Sequence, residues 1–237
     1  VGATTMYVIT LTTIPPRFAG LGAVLESLLA QRPRPFRICL CLPDRYARFP
    51  GAHARPAVPA GVEIHRANRD LGPATKVLPL ARALRGQDID LIYCDDDCLY
   101  RPGWAQALLA ARPNKGTAVA ASGFGIERLR RRPSALPGDA DIAQGFGGVL
   151  VRPEMFDAAA QEIPDALQAV DDIWLSGHLA RRGIPIRLSP AARRLCRPRA
   201  GAPAALQKAM PGGRSRAQLN AECAAHFHQR YGIWPPH

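Results

Sequence analysis

The chain has little of what marks a membrane or secretory protein. No apolar run approaches the roughly 20 residues that a spanning helix needs. The opening segment, Val1 to Pro16, lacks a basic stretch, a long apolar core and a small-residue cleavage site, so it does not read as a signal peptide. A soluble cytoplasmic protein, at most peripheral to the inner membrane, is the expectation. Cysteine is present but unarranged: Cys39, Cys41, Cys94, Cys98, Cys196 and Cys223 include no CxxC pair. That excludes zinc-ribbon and dithiol redox readings. A chain of this length buries enough surface to need no disulfide framework, and the six cysteines read as small buried hydrophobes. Two nucleotide-binding signatures are also missing. There is no GxxxxGK[ST] loop, which excludes a Walker-type ATPase. The loop between the first strand and the first helix is Thr-Thr-Ile-Pro-Pro-Arg rather than GxGxxG, which argues against an ordinary dinucleotide site.

Acid is scarce at the C-terminal end. From Arg181 onward eleven Arg or Lys residues face a single acid, Glu222, so this tail carries most of the +12 net charge. Such a region reads as a surface for something anionic: a nucleotide diphosphate, an acidic glycan, a lipid phosphate, a membrane face or nucleic acid. The composition is otherwise that of a globular protein, with 47% apolar and 21% charged residues. The length suits one full-sized domain, residues 1–190, followed by a basic C-terminal extension, residues 191–237, packed on the same domain.

Short apolar runs alternate with helical patterns along the chain. Met6–Leu11, Phe36–Leu42, Val62–His65, Ile89–Cys94, Ala118–Ser122, Phe146–Val151 and Ile184–Leu188 read as strands. Phe18–Ala30, Leu71–Leu84 (its helix beginning near Pro73), Pro102–Ala110, Asp171–Arg181 and Gln218–Arg230 read as helices, and Glu127–Asp141 as an exposed loop. Alternation of this kind predicts an α/β fold with a mostly parallel sheet, in which ligands sit beyond the carboxyl ends of the strands. Thr12, Thr13, Asp70, Asp95–Asp97 and the pair Asp171 and Asp172 all fall at that edge.

Asp95, Asp96 and Asp97 end the strand Ile89–Cys94 and are the strongest feature. Adjacent carboxylates repel, and a divalent cation relieves that repulsion. Alternate side chains leave an extended chain on one side, so Asp95 and Asp97 can converge while Asp96 points elsewhere. Mg²⁺ or Mn²⁺ held by one or two carboxylates commonly completes its shell with phosphates and water.

Together with these aspartates, Thr12–Arg17, Asp70-Leu-Gly-Pro-Ala-Thr-Lys76, Gln144-Gly-Phe-Gly-Gly148 and Val170-Asp-Asp-Ile-Trp174 form an ordered set. The set resembles bacterial glycosyltransferases of GT-A fold, similar to the family-two-like group that builds surface polysaccharides. The likeness spans about Met6 to Ile186, with a closing Tyr231-Gly-Ile-Trp234. It implies a single Rossmann-like GT-A domain that uses a nucleoside diphosphate sugar, a UDP-sugar being favoured, and Mn²⁺ or Mg²⁺. The acceptor would be a glycan or a lipid-linked oligosaccharide, with no nucleic acid expected.

The resemblance also implies roles. Asp95 and Asp97 would hold the metal, and His226 is a candidate third ligand. Thr12, Thr13, Arg17, Asp70, Lys76, Asp95, Asp96, Gly147 and Gly148 would contact the nucleotide sugar, and Gly145, Gly147 and Gly148 would let backbone approach it closely. Asp172, with Asp171 beside it, would take the proton of the acceptor hydroxyl in an inverting transfer. Both acids also suit a helix N-terminus for structural reasons. Trp104 and Trp174 read as core residues first and as a sugar platform second. A retaining transferase on the same scaffold, or a basic polyanion- or nucleic-acid-binding module, are the alternatives.

Overall fold

The computed structural model describes residues 6–133, 138–200 and 213–237. In chain order the elements are β1 (Tyr7–Thr12), α1 (Leu21–Leu29), β2 (Arg37–Pro43), β3 (Val62–Ala67) and α2 (Leu78–Ala83). They continue with β4 (Asp90–Tyr93), β5 (Cys98–Tyr100), α3 (Trp104–Ala110), β6 (Ala118–Ala120), β7 (Gly123–Phe124), β8 (Ile142–Ala143) and β9 (Val149–Val151). α4 (Asp171–Ala180), β10 (Ile186–Leu188), α5 (Pro190–Arg194), β11 (Cys196–Pro198) and α6 (Arg216–Tyr231) complete the set.

Seven strands form the central sheet in the order β10-β6-β9-β4-β1-β2-β3. All neighbours are parallel except β9, which runs antiparallel to both β4 and β6. The α/β class and the mostly parallel sheet therefore agree with the sequence. β1 lies between β2 and β4 and is covered on both faces, which is why it is an almost unbroken apolar run. Its side chains alternate between two cores. Tyr7, Ile9 and Leu11 pack with Leu21, Val24, Leu25 and Leu28 of α1 and with Trp104 and Leu108 of α3. Val8 points the other way, into the core shared with α2, α4 and α6.

Three local expectations are corrected, and two small strand pairs are added. The stretch Leu71–Leu84 is not one helix: it is a single 3₁₀ turn, Ala74–Lys76, followed by the short α2. Asp70 Oδ1 accepts from the Gly72 amide at 2.8 Å and Thr75 Oγ1 from the Leu71 amide at 3.0 Å. These side-chain turns compete with a helix start, and Gly72 takes a φ of +58°. The strand expected over Phe146–Val151 begins only at Val149, because Gly145–Gly147 is a tight turn and Gly148 has a φ of +96°. Two small antiparallel pairs, β5 with β11 and β7 with β8, were not foreseen. The loop expected over Glu127–Asp141 carries a 3₁₀ turn, Ile126–Leu129, and its residues 134–137 lie outside the described residues.

The described part of 191–237 is built into the main body. β11 pairs with β5, directly after the aspartate triplet. α6 starts with a reciprocal cap between Ser215 and Gln218 and packs on α4 through Trp174, His178, Phe227 and Tyr231. All six cysteines are free and buried, as expected of small hydrophobes. No helix among the described residues is long and apolar enough to cross a membrane.

Candidate functional site

The loops at the carboxyl ends of β1, β2, β3 and β4 meet the N-terminal end of α4 around a cavity of about 550 Å³. That size lies within the roughly 300–1,000 Å³ usual for small-molecule sites. Thr12, Thr13, Arg17, Asp70, Lys76, Asp95, Asp96, Asp97, Asp171 and Asp172 all line it. Residues far apart in sequence are thus gathered at one sheet edge.

The triplet divides by alternation. The side chain of Asp96 turns inward and is only 6% exposed, whereas those of Asp95 and Asp97 are 32% and 31% exposed. Arg17 reaches Asp96 with Nη1, and the same nitrogen lies 3.2 Å from Asp97 Oδ2. Thr13 Oγ1 donates to Asp96 Oδ2 at 2.5 Å. Burial still pushes the Asp96 carboxyl above its ordinary range, against the pull of Arg17 and Thr13. Tyr100 fixes the backbone here: its hydroxyl donates to the Asp95 carbonyl at 2.9 Å and accepts from the Asp95 amide at 3.2 Å.

Lys76 lies beneath this rim, 1% exposed. Its Nζ donates to Asp95 Oδ1 at 2.5 Å and stands 2.9 Å from Asp171 Oδ2, tying the end of β4 to the start of α4. Burial alone would depress the ammonium; Asp171 and then Asp95 outweigh it and hold the group well above its usual range. Asp172 belongs to the same cluster. Its carboxyl is pushed up to about 7, first by burial and then by Asp171. It lies deep in the protein while keeping part of its surface in the cavity, and its Oδ1 accepts from the Gly145 amide at 2.9 Å.

Asp95, Asp96, Asp97, Asp171 and Asp172 outnumber the two cations among them, Arg17 and Lys76, so the floor keeps an excess of negative charge. Two half-exposed carboxylates facing a cavity suit a hard cation that finishes its shell with ligand oxygens and water. Asp95 and Asp97 could offer oxygens to such a cation, but they already pair with Lys76 and Arg17, and no group of three or more His, Cys, Asp or Glu side chains among the described residues forms a ready cage.

Other expected residues stand elsewhere. His226 does not line the cavity; its ring lies 5.4 Å from that of Trp174, on the α4–α6 seam. Gly147 and Gly148 are also behind the wall. A Cβ on Gly148 would collide with the Trp104 ring, whose Nε1 donates to the Gly147 carbonyl at 2.7 Å. Gly145 is the glycine the site needs, since a Cβ there would run into Lys76 Nζ. Trp104 and Trp174 are both buried core residues. Thr12 donates to the Cys41 carbonyl at 2.7 Å, and Asp70 Oδ2 accepts from the Ala47 amide at 2.8 Å, so both also serve as loop fasteners.

Sequence reasoning missed Tyr46, Arg48, Arg193, Arg199 and Arg216, which line the same cavity. Tyr46 could not be singled out from a loop rich in Pro, Ala and Arg. The C-terminal arginines had a signal in the charge asymmetry, but not one that pointed to individual residues. The chain matches no protein-family model and no curated protein.

Proposed function

We propose that the chain is a metal-dependent glycosyltransferase of GT-A type. It moves a sugar from a nucleoside diphosphate sugar, with UDP-sugars favoured, to the hydroxyl of a glycan or lipid-linked acceptor. The observation that carries this reading is the meeting of Asp95 and Asp97, both facing the cavity, with Asp172, whose carboxyl is raised to about 7. A group poised near neutrality is suited to accept a proton and release it again. The sheet edge at which they meet is where α/β proteins bind nucleotides.

In this reading Asp172 accepts the proton of the acceptor hydroxyl as that oxygen bonds to the anomeric carbon. The bond from that carbon to the diphosphate oxygen breaks on the opposite side, and its electron pair leaves with the nucleoside diphosphate. The sugar is inverted. A divalent cation held by Asp95 and Asp97 would supply neutralising charge to the departing diphosphate. Lys76 keeps Asp95 and Asp171 at a fixed separation, and the Gly145 amide keeps one oxygen of Asp172 oriented, leaving the other for the acceptor. Thr13 and Arg17 hold Asp96 inside, so that the outer two carboxylates face the ligand.

The test is transfer from a panel of nucleoside diphosphate sugars to simple alcohol and glycoside acceptors, with the anomeric configuration of the product read by NMR. The reading expects inversion by the native protein and loss of transfer, with nucleotide binding kept, in Asp172→Asn. A product of retained configuration would remove Asp172 from the role of base.

A further inference from the structure

Four arginines of the cavity have no part in the reaction as described. Arg48, Arg193, Arg199 and Arg216 line it, and none is ion-paired among the described residues. Three of them come from the C-terminal segment. Arg193 sits on α5 with its guanidinium carbon 5.2 Å from the centroid of the Phe146 ring. Arg216 opens α6 and donates through Nη1 to the Ala169 carbonyl at 3.1 Å. Arg199 follows β11, and its amide donates to the Asp97 carbonyl at 2.7 Å, so its position is coupled to the triplet.

The side chain of Arg199 is the informative one. Its Nε and Nη2 are buried and have no hydrogen-bond partner among the described residues. Orphaned buried N–H groups are rare, and a guanidinium cannot relieve the cost by losing its proton. Gly20 leaves the space it occupies: a Cβ there would stand 2.6 Å from Arg199 Nη1. The cavity therefore has two electrical sides, an acidic floor from β4 and α4 and an arginine side from the C-terminal segment. A ligand that satisfies both offers oxyanions to one and a cation to the other.

We propose that Arg199, flanked by Arg193 and Arg216, is an oxyanion site contributed by the C-terminal segment and takes phosphate-type oxygens of the ligand in this cavity. The diphosphate of a sugar donor and an anionic group on an acceptor share that chemistry. The site rests on the cavity described above but does not require that sugar transfer occur.

Calorimetric titration with inorganic pyrophosphate, in buffer containing a chelator, tests it directly. The native protein should bind, more weakly as salt is raised. Arg199→Ala should weaken binding about ten- to a hundredfold, the usual loss of a charged hydrogen-bonded contact. Gly20→Ala should weaken it as well, because it displaces the guanidinium while keeping the charge; its φ of −97° is open to alanine. Arg193→Ala, at an exposed position, and Arg216→Ala, half-buried like Arg199, are the further variants. Absence of pyrophosphate binding by the native protein would overturn the proposal. So would unchanged affinity in Arg199→Ala, Arg193→Ala and Arg216→Ala alike. Displacement of pyrophosphate by UDP would assign the site to the donor, and simultaneous binding of both to an acceptor anion. Arginine-dependent pyrophosphate binding without turnover of any nucleotide sugar would sink the transferase reading and leave this site standing.

Discussion

Replacing Lys76 by methionine tests whether the buried ammonium holds the site together. Methionine keeps most of the lysine stem, so packing is nearly preserved and the change is chiefly loss of charge. Removing one partner of a buried ion pair costs about 3–5 kcal/mol, because the other partner is left without compensation. Here there are two partners of unequal burial. Asp171 is 4% exposed and cannot be rehydrated in place, whereas the side chain of Asp95 is 32% exposed and can be. The lower end, ~3 kcal/mol, is therefore the expectation, equivalent to a fall in Tm of about 6–12 °C for a chain of this size. Thermal and urea unfolding of the native protein, Lys76→Met, Asp171→Asn and the double variant would measure it. The double variant should be more stable than the sum of the single losses predicts, by ~1–3 kcal/mol, since the orphaned charge is then gone. A Lys76→Met variant within about 0.5 kcal/mol of the native protein, or strict additivity, would refute the bridging role.

Asp172 gives a pH prediction. Its folded pKa of about 7 is above the unfolded carboxyl value, so its contribution is fully present below about pH 4 and is lost as pH rises towards 7. Asp172→Asn should therefore match the native protein near pH 4 and exceed it at pH 8 by a few kcal/mol (~2–4 by linkage, reduced by the cavity-facing part of the side chain). Denaturant midpoints across that range measure the crossover; equal gaps at both pH values would contradict it. Gly148→Ala should be destabilising by ~2–6 kcal/mol, from a φ of +96° and overlap with Trp104. A stable Gly148→Ala protein that has lost only ligand binding would instead put Gly148 in the donor site.

The parts of this fold that are legible in the sequence are those with two-sided burial or strict period. β1, β2 and β4 are continuous apolar runs because sheet neighbours and helices enclose them. α1 carries Leu21, Val24, Leu25 and Leu28 at helical spacing and lies where that spacing says. The direction of β9 was not legible, since Val149–Val151 would read the same in a parallel or an antiparallel place. β5, β7, β8 and β11 are two or three residues long, below what periodicity can register.

The site was legible in its carboxylates and in Arg17 and Lys76, but not in the partners those two cations take or in the C-terminal arginines. Asp95, Asp96 and Asp97 lie in the turn that follows β4 rather than on the strand; Asp96 is the buried one, yet it shares Arg17 with Asp97, while Asp95 pairs with Lys76. Lys76 lies 95 residues from Asp171, and no local rule foretells that an ammonium expected to face phosphates sits buried between two acids. His226 was a residue type with metal chemistry in the right part of the chain, but packing against Trp174 claims it. Arg199 was hidden because one arginine among many in a basic tail carries no spacing signal.

The central claim is that Asp95 and Asp97 hold a cation together with a nucleotide. Calorimetric titration of UDP, GDP and CMP, with and without Mn²⁺, into the native protein and Asp97→Ala tests it most directly. Arg17 remains paired with Asp96 in that variant, so the loop keeps its anchor. One of the three nucleotides should bind, binding should require Mn²⁺, and it should be lost in Asp97→Ala. Binding of none of them in a metal-dependent way, or undiminished binding by Asp97→Ala, would contradict it.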